Sequence, residues 1–378
     1  MASQSHTVTL AVLRAFRGPN ILGPLPGGQV RCSAPRDITQ LLRAALKDIC
    51  QRAGIVLAGL QTRAEQHAEE WQSELWFQTP TPALGAAAAR LAVAQVEAFV
   101  SGQEWDGDEA VFALADQRRR GALPLAALQL MAEAGARRVP AFQHGDALQL
   151  GYGVAGRRVA LAPEQGETIA LAGHHEPPRD PAAALDWTHL GRIPIIAATG
   201  HGAEQVVERL HTLLPHASAV THASFDAARD VLASSTASQA IMGLDARDLL
   251  EQGAPFERCD ASIILGAATW PAGEQERTEW AHALGLPMLL TAPGGVALLD
   301  ADSPELLALA EYAACRLILV SRVAANAAVQ AHCRAGGWAA WLDGGQIRAW
   351  RQNQITTLGE GDMAGLAARI LQWAGALG

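Results

Sequence analysis

This 378-residue chain is poor in paired cysteine, in long apolar runs and in charge. Its five cysteines, Cys32, Cys50, Cys259, Cys315 and Cys333, are scattered and form no C-x-x-C pair. Such usage points to reduced, packed thiols in a cytoplasmic protein. No uninterrupted apolar run approaches the ~20 residues that span a bilayer, so no membrane partner is expected. The opening stretch MASQSHTVTLAVLRAF lacks a basic leader, a long apolar core and a cleavage site, and no signal peptide is expected. Charged residues make up only 18% and the net charge is −9, which argues against a nucleic-acid binder. An acidic balance suits a cationic ligand, and it suits simple solubility better. There is no Gly-x-Ser-x-Gly nucleophile elbow, no internal repeat and no low-complexity tract.

What remains is a globular composition. Apolar residues reach 49%, too many for a disordered chain, and the length suffices for two or three domains with sizeable cores. Ala and Gly are abundant, as in tightly packed α/β layers.

The stretch Gly191 to Leu210, GRIPIIAATGHGAEQVVERL, is the most telling. Ile193 to Ala198 reads as a buried parallel strand. Thr199-Gly200-His201-Gly202 is a glycine turn. Ala203 to Leu214 reads as a helix with Val206, Val207, Leu210 and Leu213-Leu214 on one face. Strand, glycine turn and helix aim backbone N–H groups and a positive helix end at a phosphate. A working loop also needs a Lys for the outer phosphates and a Ser/Thr hydroxyl for the metal. Here Ala203-Glu204-Gln205 stands where Gly-Lys-Thr is expected, and Glu204 repels a triphosphate. The outline of a nucleotide site is present without its chemistry.

Three segments follow from the patterning. Residues 1–172 read as an α+β domain: a strand over Thr7–Ala15, a helix over Asp37–Leu60, a strand over Trp71–Thr79, helices over Ala83–Val100 and Leu123–Gly135, then short strands near Val139, Leu148 and Val159. Residues 173–190 hold Pro177, Pro178 and Pro181 and read as a linker. Residues 191–378 alternate helices with apolar segments at Ile193–Ala198, Ala217–Val220, Ala240–Met242, Ala261–Leu265, Met288–Leu290, Arg316–Val320 and Trp338–Leu342. That spacing predicts a doubly wound, mostly parallel α/β domain.

Other chemistry-bearing residues read as structural. His174-His175 lies in the Pro-rich linker, and His67-Ala68-Glu69-Glu70 as a solvated turn. His201, His211, His216 and His222 fall within one βαβ region, where only His201 is placed to face a ligand. Arg118-Arg119-Arg120 reads as a solvated helix end.

Five stretches, in order, resemble the cyanophycin synthetase family. Arg17-Gly18-Pro19-Asn20 resembles the RGPN motif of its N-terminal domain. Leu148-Gln149-Leu150-Gly151-Tyr152-Gly153, after Val139-Pro140, resembles the segment that closes that domain. Gly191-Arg192-Ile193-Pro194-Ile195 with Thr199-Gly200 resembles the entry to its Mur-ligase-like half. Phe256-Glu257-Arg258-Cys259-Asp260 resembles FDRCD, and Ala297 to Pro304 resembles VLNADDP. The resemblance implies a Mur-ligase-like, P-loop-type second domain. In that family a central ATP-grasp domain and the Mur-like half build a poly-aspartate backbone bearing arginine, and the N-terminal domain holds polymer.

The chain departs from that plan at each active centre. The family's pattern runs to about Glu167-Thr168-Ile169-Ala170 and then jumps to the linker, so the ATP-grasp domain is missing. The lid is absent or reduced to Gly359–Leu377. The Glu that helps hold Mg²⁺ is replaced by Leu244 in Leu244-Asp245-Ala246-Arg247. The metal-positioning His is not found in Gly266-Ala267-Ala268-Thr269-Trp270. The H-x-x-E-H helix of the N-terminal domain aligns with Gln51, Gly54 and Ile55, none of them a ligand. Binding of ATP and Mg²⁺ is therefore expected to be lost, and no metal or other cofactor is expected. The expectation is a pseudoenzyme with no catalytic residues. Thr199, Gly200, His201, Gly202, Glu204 and Gln205 form its degenerate loop, and Arg17, Asn20 and Arg247 are candidate contacts. Its expected partners are a full cyanophycin synthetase, the polymer cyanophycin, or copies of itself, in the cytoplasm. The alternatives are an ATP-dependent Mur-type ligase with a rearranged loop and a stand-alone cyanophycin-binding module.

Overall fold

A computed structural model describes residues 7–68, 70–161, 182–183 and 185–376. The chain forms two compact units, Met1–Ala122 with Glu251–Gly253 and Leu123–Leu250 with Ala254–Gly378, which do not divide at the expected linker. His174-His175, the prolines of that linker and Glu167–Ala170 lie outside the described residues.

The first unit is built on strands β1 (Thr9–Phe16) and β2 (Gly27–Ala34), helix α1 (Thr39–Ala53), strands β3 (Ala58–His67) and β4 (Glu70–Gln78), and helices α2 (Pro82–Val100) and α3 (Asp108–Arg120). The antiparallel sheet has the order β1-β2-β4-β3. Strand alternation sends Val30 and Cys32 of β2 and Leu75 and Phe77 of β4 into a core with Leu42, Leu46 and Ile49 of α1 and Ala92, Val93 and Val96 of α2. The opposite set, Gln29, Arg31 and Glu74, is buried too. Glu74 accepts from Arg31 at 2.9 Å and from Gln29 at 2.5 Å, so the buried carboxylate is paired and hydrogen-bonded, as it must be.

Two expectations fail here. The helix predicted to reach Leu60 ends at Ala53, because Gly54 adopts a left-handed cap at φ 69°. Leu60 belongs to β3, and Gln51, Gly54 and Ile55 do not share a helical face. Strand β2 carries no sequence signal: it opens on two glycines, and both of its faces are buried. Helix α2 is long and apolar enough to cross a bilayer by length and composition alone, and it packs on β1, β2 and α1.

The second unit begins with α4 (Leu125–Ala136) and a three-stranded sheet of β5 (Ala141–His144), β6 (Ala147–Leu150) and β7 (Arg157–Ala160). There follow β8 (Ile195–Thr199), α5 (Ala203–Leu213), β9 (Ser218–Ala223), α6 (Phe225–Ala233), β10 (Ala240–Leu244), α7 (Ala246–Gln252), β11 (Cys259–Ile264), α8 (Glu274–Leu289), β12 (Thr291–Asp300), α9 (Pro304–Leu307), β13 (Arg316–Ser321), α10 (Ala327–Arg334), β14 (Trp338–Asp343), β15 (Gln346–Arg351), β16 (Gln354–Glu360) and α11 (Met363–Trp373). The nine-stranded sheet runs β16-β15-β14-β13-β12-β11-β8-β10-β9. All pairs from β9 to β14 are parallel, and β15 and β16 add an antiparallel edge. One face packs Ile196, Ile263, Leu298 and Ile318 against α5 and α11. The other packs Ile264, Leu299 and Leu319 against α8 and α10. The unit is thus α/β and doubly wound.

The three-stranded sheet is tied into this unit. Tyr152, fully buried, donates its hydroxyl to Glu257 at 2.6 Å, and Val154 donates its N–H to the Ala237 carbonyl. Burial pushes the Tyr152 phenol far above its ordinary value, and the adjacent Glu257 carboxylate pushes the same way. Residues 123–161, expected in the first domain, therefore group with the second unit.

Met288–Leu290 is the end of α8 and not a strand. The helix continues past Pro287, and the strand starts at Thr291, whose hydroxyl donates to the Pro287 carbonyl. The supposed reduced lid is core: Ala364, Leu366, Ala367, Ile370 and Leu371 of α11 pack with Val206 and Leu210 of α5.

Burial pushes the thiols of Cys32, Cys50 and Cys259 up to about 12. An exposed thiol ionises near about 8.5, so the unfolded chain loses these protons first as pH rises. Stability is then full below about pH 8.5 and declines from there toward about pH 12. Urea unfolding at about pH 8 and about pH 10 is expected to show a lower midpoint at the higher pH, and Cys→Ser replacement to reduce that difference.

Candidate functional site

Strand β8 is the pivot of the parallel sheet. Its connection through α5 leads to β9 on one side, while β11, its other neighbour, leads through α8 to β12 on the opposite side. In open α/β sheets the crevice beyond the carboxyl ends of two such strands is where ligands bind. A pocket of about 410 Å³ opens there, lined by Gly200 to Gln205, His222, Gly243 to Ala246, Ala267 to Thr269, Trp280 and Leu284.

The turn that shapes this pocket is fixed by close approach. Gly200 has φ 90°, and a Cβ on it would lie 1.9 Å from the Leu265 carbonyl oxygen. Gly202 shares that φ and precedes α5, but a Cβ there meets nothing closer than 3.7 Å. The Thr199 hydroxyl, fully buried, donates to the Leu284 carbonyl at 2.8 Å. Two amides that a phosphate would need are committed inside the protein. His201 N–H donates to the Gly266 carbonyl at 2.8 Å, and Ala203 N–H to the Gly200 carbonyl at 3.2 Å. Ala203 itself is buried in the core below α5.

The charged groups of the pocket are acidic or imidazole. Glu204, in the first turn of α5, meets His222 Nε2 at 3.0 Å. Asp245 caps α7 by accepting the N–H groups of Arg247 and Asp248 at 2.8 and 3.0 Å. Both carboxylates thus sit at helix N-termini, where the dipole favours them. No lysine is available to replace them: the only one in the chain, Lys47, is exposed on α1 of the first unit.

The residues named from sequence divide accordingly. Thr199, Gly200, His201, Gly202, Glu204 and Gln205 come together at the switch point, with Thr199 just beneath the lining. Leu244 is buried beside Asp245. Arg247 stands exposed at the start of α7. Arg17 and Asn20 belong to the first unit. Asn20 is buried and its amide is spent on its own turn, donating to the Gly18 and Leu25 carbonyls at 3.0 Å and accepting from the Leu22 N–H. Arg17 bonds Gln252 through both its backbone and its side chain. Sequence reasoning missed His222 and Trp280. They enter the pocket because the sheet order sets β9 beyond β10 and α8 behind β11, which no local pattern records. His67 ends β3 in an exposed hairpin with Ala68 at φ 53°, and among the described residues no three His, Cys, Asp or Glu side chains gather as metal ligands.

The two glycines of the turn make a paired test. Gly200→Ala combines a left-handed backbone with a collision and is expected to cost about 3 kcal/mol or more. Gly202→Ala meets the backbone cost alone, about 1 kcal/mol. Urea midpoints of the two variants check the order.

No curated protein matches the chain. Among solved structures, it is similar to a UDP-N-acetylmuramoyl-L-alanyl-D-glutamate–2,6-diaminopimelate ligase at 13% identity and a TM-score of 0.36, over 49% of this chain and 45% of that one. It is also similar to a UDP-N-acetylmuramoylalanyl-D-glutamyl-2,6-diaminopimelate–D-alanyl-D-alanyl ligase from Acinetobacter baumannii, at 13% identity and a TM-score of 0.31, over 49% of this chain and 43% of that one. The chain spans under half the length of each. A family model described as a domain of unknown function, DUF4938, matches residues 7–319, well over half of the sequence, and the chain belongs to that family.

Proposed function

We propose that this chain is a catalytically silent, Mur-ligase-like protein that acts as a cytoplasmic partner subunit of cyanophycin synthetase, binding the synthetase, its polymer, or both. The observation that carries the silent half of the reading is the closed glycine turn. His201 and Ala203 spend their amides on protein carbonyls, and Glu204 with His222 stands at the N-terminus of α5. A triphosphate would meet a carboxylate where it needs a cation. Installing a lysine at Glu204 does not repair such a loop, because the amides of His201 and Ala203 remain occupied. ATP and Mg²⁺ have no role in this reading.

The partner half rests on the five family-like stretches and on the economy of the fold. Strand order, helix caps and core alternation agree with one another across the second unit, as in a sequence that specifies one structure. A protein kept in this state and without nucleotide chemistry is useful through its surfaces.

Two measurements test the halves separately. Equilibrium binding of labelled ATP with Mg²⁺ is expected to be weaker than about millimolar. Micromolar binding would overturn the silent reading in favour of a ligase with a rearranged loop. Co-expression with a full cyanophycin synthetase is expected to give co-purification and altered polymer yield. Retention of the chain on cyanophycin without synthetase binding would favour a stand-alone polymer-binding module, and neither association would sink the partner reading.

A further inference from the structure

The first unit presents a helix face that its own fold covers only in part. Helix α2 is long and apolar, yet only 33% of its most apolar stretch is buried. Ala88, Ala92, Val93 and Val96 point to the core. On the other side, Ala83, Arg90 and Ala94 are exposed and Ala87 and Glu97 half-buried, with Ala87 touching the edge of the core; the five recur at helical spacing as one stripe. Beside it runs an open groove of about 540 Å³ between α2, α3 and β1, walled by Leu13, Leu91, Ala110, Ala113 and Leu114, with Arg90 among its linings.

Solvent-facing helix stripes are normally polar. This one has only two charges, Arg90 and Glu97, of opposite sign and seven residues apart. Neither has an ion-pair partner among the described residues. The pattern is self-complementary in one sense only. Set antiparallel against α2 of a second copy, about a two-fold axis level with the midpoint of Val93 and Ala94, each Arg90 faces the other copy's Glu97. Set parallel and in register, Arg90 faces Arg90 and Glu97 faces Glu97, which is repulsive. The alanines around the crossing allow the helix axes to approach to about 8 Å.

We propose that the outer face of α2 is a self-association surface, which pairs two copies of this chain antiparallel through Ala87, Ala94 and a reciprocal Arg90–Glu97 contact. The inference does not rest on the partner-subunit reading. It concerns a face of the first unit, whereas the switch-point pocket belongs to the second. One helix pair with a flanking groove lies at the small end of specific interfaces, so a dimer with a dissociation constant of about 1–100 µM is expected.

Sedimentation velocity of the full chain across that concentration range tests this. Arg90→Glu or Glu97→Arg alone sets like charges together twice by symmetry and is expected to weaken the dimer about tenfold. The double variant R90E/E97R restores both pairs and is expected to return to within about threefold of the original. Circular dichroism and the thermal midpoint confirm that each variant is folded, as expected for outward side chains. A chain that stays monomeric throughout, single reversals without effect, or a double variant no better than the singles each overturns the proposal.

Discussion

The contact between the Gly200 backbone and the Leu265 carbonyl is the constraint from which the second unit follows. Parallel strands are held by slanted, evenly spaced hydrogen bonds, and β8 must sit between β10 and β11 with its turn drawn against the exit of β11. With no room for a Cβ at Gly200, the turn folds down and His201 bonds the Gly266 carbonyl. The Thr199 hydroxyl reaches the far layer through Leu284. One tight crossing therefore joins strand, turn and the α8 layer. The same closure occupies the two amides of the turn with protein carbonyls.

The acidic groups around the pocket fit that view. Glu204 in the first turn of α5 and Asp245 at the head of α7 are each explained by helix-terminal electrostatics. In a nucleotide site the helix N-terminus is reserved for phosphate. Here the protein supplies its own anions, and His222 meets one of them. A pocket of this size persists because the topology creates it at any β8–β11 switch point, whatever the side chains are.

Much of this was legible in the sequence, and the failures have identifiable causes. The strand, glycine turn and helix from Ile195 to Leu213 were readable because Val206, Val207 and Leu210 repeat with helical period beside a continuous apolar run. The cation deficit was readable from Ala203-Glu204-Gln205. Strand β2 was not, because Gly27 and Gly28 hide its start and Gln29 and Arg31 are buried opposite Val30 and Cys32. The end of α1 was missed where Gly54 stops it. Met288–Leu290 misled because a short apolar run looks alike as buried helix or buried strand. The grouping of residues 123–161 depends on pairs such as Tyr152 with Glu257, far apart in sequence, and no periodicity announces them.

Strand order also sets the pace at which the second unit is made. The first strand of the nine-stranded sheet is its pivot, and both neighbours of β8 arrive later in the chain, β10 after a full helix–strand–helix excursion and β11 later still. Until then Ile195, Ile196 and Ala197 have no sheet to join. Closure of such long loops precedes any reward from pairing, so this unit is expected to fold slowly, with its most apolar strand waiting longest. During synthesis that delay would leave an unpaired apolar strand open to chaperones.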